Sequence, residues 1–151
     1  ASTSYPVEVE DNGPDGTPTP LDQVELETDS GNPYTLAQVE GLGDGPGDED
    51  WFSFTSDFEG GHVVVCLLSG YYGSTALPEI SVYDDSDVLL GTVASDGDTY
   101  PTAELANLIA DRGDYTVRLV HGAETAGHPS DWYRMYVYVA DFEVTAYDCP
   151  S

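Results

Sequence analysis

Five side chains in two short acidic stretches carry the clearest chemical signal in the sequence. Glu8, Glu10 and Asn12 occupy alternate positions of one stretch, and Asp48 and Asp50 stand two apart in another. On extended backbone, side chains at i and i+2 share a face, so each stretch presents its oxygens together. Ca²⁺ takes six to eight oxygen ligands from carboxylates, amides, backbone carbonyls and water, at about 2.3–2.6 Å. Side by side, the two stretches would offer carboxylates from Glu8, Glu10, Asp48 and Asp50 and the amide of Asn12 to one ion. Without a cation such a cluster repels itself. The competing reading is a solvated acidic surface, which a chain with 29 acidic residues supplies readily.

A second candidate is a row of rings near the end of the chain. Across residues 132–139 the side chains alternate. Tyr133, Met135 and Val137 fall on one face of an extended segment, and Trp132, Arg134, Tyr136 and Tyr138 on the other. One face must be core. The other has the composition of a surface that stacks on a sugar or grips a polypeptide. Tyr71 and Tyr72, in a glycine-flanked turn, would extend it. The plainer alternative is that the rings pack across neighbouring strands and cap the core.

The remaining residue types exclude more than they offer. Twenty-nine acidic side chains against three basic ones give a net charge of −26. All three basic residues are arginines (Arg112, Arg118, Arg134), so there is no lysine base and no Schiff base. Without clustered cations to hold phosphate, nucleic acid is excluded as a partner and anionic membranes are disfavoured. His121 and His128 lack zinc-site spacing, and His62 opens an apolar run as a structural residue. No G-x-S-x-G elbow occurs, and so many carboxylates make a hydrolytic pair meaningless without geometry. The expectation is a non-catalytic protein, with a hydrolase ranked last.

Any of these groups must be held by a folded frame. The length, 151 residues, fits one domain with a real core, and 40% hydrophobic content with 11 tyrosines argues against disorder. The longest apolar run, residues 63–68, is strand-sized and far short of a membrane span. Turn-rich acidic stretches punctuate the first fifty residues, where Val24, Leu26, Tyr34 and Leu36 offer only short, half-buried strands. From Trp51 the period becomes two. Strands are expected at 51–54, at 62–68 (buried on both faces), at 80–83 and 88–93 around an Asp84–Asp87 hairpin turn, and at 115–119, 132–139 and 142–147. Residues 103–110 read as a short turn or strand. The fold class is an all-β, single-domain antiparallel β-sandwich, jelly-roll-like, of about eight strands.

Only two cysteines are present, Cys66 in the apolar run and Cys149 near the end of the chain. Their pairing is expected, because an exposed thiol is a liability in an oxidising compartment. By chain entropy it would add about 4 kcal/mol. The alternative is an inert buried Cys66 and a free thiol at Cys149.

The order of these segments resembles the bacterial pre-peptidase C-terminal domain family. Glu8-Val9-Glu10-Asp11-Asn12 looks like the family's opening E-x-E-x-N, and Gly47 to Phe54 looks like its acidic D-x-D followed by an aromatic strand. Ile80 to Asp84 with the hairpin to Leu90, then Arg112 to Val117, look like its middle segments, and Tyr136 to Val139 its last strand. The resemblance spans about residues 7–140. It implies a β-sandwich appended to secreted peptidases and other exported proteins. The related collagen-binding modules of clostridial collagenases imply calcium on the same acidic motifs and tyrosines on a comparable late strand as ligand surface. The chain departs from them at Gly13, where those modules often carry another carboxylate.

Together these readings give residues 1–6 as a leader or linker and 7–151 as the module, secreted or held at the cell surface or in the periplasm. Ca²⁺ is the expected cofactor, on Glu8, Glu10, Asn12, Asp48 and Asp50. The expected partners are an extracellular polypeptide or polysaccharide, or a parent multidomain protein, with no membrane span. The alternative is a stand-alone carbohydrate- or protein-binding sandwich using Trp132, Arg134, Tyr136 and Tyr138.

Overall fold

Alternation of apolar and polar side chains becomes extended strand wherever the chain is described. The computed structural model describes residues 18–42, 49–68, 79–94, 103–120 and 132–142, with only the backbone of 41, 42, 107, 132 and 133. Glu8, Glu10, Asn12, Asp48, Tyr71, Tyr72, His121, His128, Cys149, the 1–6 leader and the body of the strand expected at 142–147 lie outside the described residues.

The strands are β1 (Thr19–Pro20), β2 (Val24–Glu27), β3 (Pro33–Leu42), β4 (Glu49–Ser56) and β5 (Gly61–Leu68). They continue as β6 (Glu79–Asp84), β7 (Leu89–Ala94), β8 (Ala103–Ala110), β9 (Gly113–Val120) and β10 (Trp132–Ala140). They form two five-stranded sheets, β1-β4-β9-β6-β7 and β2-β3-β10-β5-β8. Leaving β1 and β2 aside, the sequence from β3 to β10 runs first-eighth-third-sixth in one sheet and second-seventh-fourth-fifth in the other, the order of a jelly roll. The expected all-β sandwich is therefore present, with two added edge strands. Among the described strands β1 departs from antiparallel pairing: it runs parallel to β4, Thr19 opposite Phe52.

One expectation changes: the first fifty residues hold more than short strands, because β3 is ten residues long and pairs along its length with β10. Of the two readings of residues 103–110, turn or strand, the strand is present, as the eight-residue edge strand β8 paired with β5.

The main core lies between the sheets. Phe52 and Phe54 of β4, Val117 and Leu119 of β9, and Ile80 and Val82 of β6 face Val63, Val65 and Leu67 of β5 and Met135, Val137 and Val139 of β10. β5 is buried on both sides, as its continuous apolar run requires. Its other face, Val64, Cys66 and Leu68, joins Tyr136 and Ala140 in a second apolar cluster on the outer side of the second sheet.

One end of the sandwich is fastened by hydrogen bonds. The Tyr115 hydroxyl donates to the Asp111 carbonyl, four residues upstream, in the arrangement of a tyrosine corner, and its ring stacks on Phe54 at 5.5 Å. The buried Ser56 hydroxyl donates to the Ala110 carbonyl (2.9 Å), tying the end of β4 in one sheet to the end of β8 in the other. At the same end, where Asp84 pairs with Tyr115, the Asp84 carboxylate accepts from the backbone N–H groups of Ser86 and Val88, and Asp87 takes φ 61°. The expected Asp-rich hairpin turn is thus built as aspartate turns are.

Candidate functional site

The outer face of the first sheet collects residues from three neighbouring strands. On β4, Glu49 and Trp51 alternate with the buried Asp50 and Phe52, so they point outward together. On β9, Arg118 stands between buried Val117 and Leu119 and lies opposite Trp51. On β6, Tyr83 pairs with Thr116, one diagonal step from Arg118. Register alone therefore brings an indole, a phenol, a guanidinium and a carboxylate together.

Their contacts are mutual. The Trp51 and Tyr83 rings stack with centroids 5.6 Å apart and planes 29° apart. The Arg118 guanidinium lies 5.8 Å from the centre of the Trp51 ring, within cation–π range. Arg118 Nε donates to Glu49 Oε1 at 2.5 Å, and Trp51 Nε1 donates to the same oxygen at 3.3 Å. The Arg118 and Glu49 side chains keep 29% and 20% of their surface exposed. Hydroxyls flank the cluster: Ser81 Oγ and Thr92 Oγ1 are 2.9 Å apart on β6 and β7.

The electrostatics fix the charge state of the pair. The hydrogen bond from Arg118 holds the Glu49 carboxyl below the usual carboxylate range, against a smaller opposing effect of burial. The hydrogen bond to Glu49 likewise raises Arg118. A carboxyl held ionised in this way is unsuited to donate a proton to a leaving group, which requires a raised pKa. The chemistry on offer is recognition: two partly exposed rings stacked on each other, a guanidinium over one of them and a carboxylate that accepts from both the guanidinium and the indole.

Of the five residues expected to hold calcium, Asp50 lies in the described part. It is 1% exposed, opposite Leu119 at the start of β4. A carboxylate so buried is one that is hydrogen-bonded, paired or metal-bound. Among the described residues no group of three or more His, Cys, Asp or Glu is arranged to hold a metal.

The late-strand surface needs correction. The alternation is as expected, with Met135 and Val137 in the main core. The opposite face, however, does not display its rings, since Tyr136 is 0% exposed within the second cluster. Tyr138 is half-buried against that cluster, tilted beside Tyr34 at 6.4 Å. Arg134 pairs with Glu40 at 3.6 Å, and the Trp132 side chain lies outside the described residues. The physical reason is that β10 is the middle strand of its sheet, and the outer side of β5 and β10 is itself apolar and covered. Cys66 belongs to that buried cluster.

No family model matches the chain, and no curated protein matches it. Solved structures do. The chain is similar to the C-terminal CBM6 of LamC, a marine laminarinase from Zobellia galactanivorans, with 10% identity, TM-score 0.40, and 79% of this chain and 88% of that one covered. It is similar to PliG from Aeromonas hydrophila, a periplasmic inhibitor of g-type lysozyme, with 10% identity, TM-score 0.45, and coverage of 91% and 98%. It is also similar to the CBM36-1 domain of a multidomain xylanase from the hindgut metagenome of Trinervitermes trinervoides, with 16% identity, TM-score 0.40, and coverage of 85% and 94%.

Sequence reasoning missed Glu49, Tyr83 and Arg118, and took Trp51 only as the start of an aromatic strand. The signal was present. Period-two reading of Tyr115-Thr116-Val117-Arg118-Leu119 places Thr116 and Arg118 outward, and Glu49 and Trp51 have the same spacing. What one sequence does not show is that β4, β9 and β6 are neighbours.

Proposed function

We propose that the chain is a non-catalytic, exported binding module that holds a neutral polysaccharide on the outer face of the first sheet. The observation that carries this reading is the stack of Trp51 and Tyr83 joined to the Arg118–Glu49 pair. A sugar ring offers an apolar face of C–H bonds to an aromatic ring and hydroxyl pairs at its rim. Partly exposed rings supply the first contact, and the guanidinium and carboxylate, already charged and oriented, supply the second. The net charge of −26 works against polyanionic glycans and leaves neutral ones.

The test is affinity electrophoresis through gels containing a neutral β-glucan, a neutral xylan or a polyanionic alginate. Retention by a neutral polymer, lost on Trp51→Ala or Tyr83→Ala with the unfolding midpoint kept within a few degrees, is the expected outcome. No retention, or retention that survives both changes, overturns the reading.

Calcium remains part of this proposal, on Glu8, Glu10, Asn12, Asp48 and Asp50. The Cys66–Cys149 pairing, a mark of an exported protein, is a further part of the proposal.

A further inference from the structure

A second exposed feature lies at the edge of the other sheet, away from the aromatic face. β2 is the edge strand of the second sheet, and β3 is its one neighbour among the described strands. Val24 pairs with Leu36 and Leu26 with Tyr34, so the two apolar residues of β2 lie on the sheet's outer side. They are 52% and 37% exposed, and they continue the row of half-buried Leu36, Tyr34 and Tyr138. Glu25 and Glu27, opposite Thr35 and Pro33, point the other way and are exposed. The four-residue strand is thus apolar on one face and acidic on the other.

This edge is held in place. Before it, the Gln23 amide donates to the Thr55 carbonyl (2.8 Å) and accepts from the Thr55 N–H (2.7 Å), fixing the entry of β2 against the other sheet. After it, Thr28 N–H donates to the Asn32 carbonyl (2.9 Å) and Gly31 takes φ 83°, closing the hairpin into β3. An anchored edge strand is a ready template for a further strand, and little ordering cost remains to be met on binding.

We infer that β2 takes up an extended polypeptide segment in which apolar and basic residues alternate, added as a further strand of the second sheet. Residues directly opposite each other on neighbouring strands share a face. The segment's apolar residues therefore extend the row from Val24 and Leu26, while its basic residues meet Glu25 and Glu27. The same acidic pair argues against a second copy in this place. Two β2 strands side by side would set like charges against each other, which is destabilising, and each copy carries −26. The edge thus rejects its own kind and accepts a basic strand.

The probe is a short blocked peptide of alternating lysine and valine, titrated against the whole chain by fluorescence anisotropy. Controls are a block peptide with the same composition, the alternating peptide N-methylated on one edge, and an alternating glutamate–valine peptide. The alternating Lys–Val peptide is expected to bind at least about tenfold tighter than the block and N-methylated forms, a difference of 1.4 kcal/mol. Changing Glu25→Lys and Glu27→Lys together is expected to reverse the preference toward the Glu–Val peptide. Both positions are exposed, and an unchanged unfolding midpoint confirms that the variant is folded. Equal binding of the block or N-methylated peptide would reduce the effect to diffuse charge and overturn the inference. So would an unaltered preference in the double variant. A wild-type dimer seen by sedimentation and lost on Val24→Lys would assign the edge to a second copy, and would also overturn it.

Discussion

Glu49 shows how one side chain serves both the site and the fold. It accepts from Arg118 and from the Trp51 indole, and the first of these lowers its pKa in the folded protein below the reference value of 4.5. A group whose folded pKa is depressed contributes stability above its unfolded pKa and loses it as pH falls through the folded one. With a fifth of the carboxylate side exposed, the pair belongs nearer the surface class than the buried one, so about 0.5–1 kcal/mol is expected. Acid also neutralises other carboxylates and relieves repulsion, so the total stability of this chain does not isolate Glu49. The difference between wild type and Glu49→Gln does. Urea unfolding of both proteins from pH 7 to pH 3 should show a gap at neutral pH that narrows below about pH 4.5. A constant gap would mean that the carboxylate stabilises by packing alone.

At the level of strands, the close approach of backbones sets which small residues are indispensable. A Cβ at Gly61, the first residue of β5, would sit 2.6 Å from the Ala110 carbonyl oxygen and 2.8 Å from Ser56 Oγ, the two atoms of the tie between the sheets. At Gly91 of β7 it would meet the Leu108 side chain at 2.8 Å, whose tip can turn aside. Gly61→Ala is expected to cost about 1–3 kcal/mol, and Gly91→Ala under about 1 kcal/mol, partly offset by a stiffer unfolded chain. Thermal unfolding separates the two, at about 2–4 °C per kcal/mol for a chain of this size. The same scale explains what could be read in advance. The strands at 51–54, 62–68 and 132–139 were legible because one-sided and two-sided burial leave different alternation. β3 was not, because Gln38 and Glu40 face outward and make a paired strand look polar. The Trp51–Tyr83–Arg118 site was legible only as separate outward residues, since the order β4-β9-β6 comes from jelly-roll connections rather than from local pattern. Tyr136 was open to two readings for the converse reason: alternation gives two faces but not which of them is covered, and its burial decides for the packed ring over the ligand surface.

The whole molecule has to keep a net charge of −26 in a compact state, and two physical mechanisms allow it. Diffuse screening shortens the reach of repulsion, from about 10 Å at 0.1 M salt to about 3 Å at 1 M, and scarcely distinguishes one divalent ion from another. A bound ion instead adds RT ln(1 + [L]/Kd), about 2.7 kcal/mol at a hundred times Kd, and saturates. The proposal of calcium on Glu8, Glu10, Asn12, Asp48 and Asp50 requires the second. Chelated protein is therefore expected to gain several degrees in unfolding midpoint on titration with CaCl₂, to respond less to MgCl₂, and to lose the saturating part on Glu10→Gln or Asp48→Asn. A midpoint that follows NaCl alone, with CaCl₂ and MgCl₂ equivalent at matched ionic strength, would remove the ion site. The proposal of sugar binding at Trp51 and Tyr83 would then stand independently of metal.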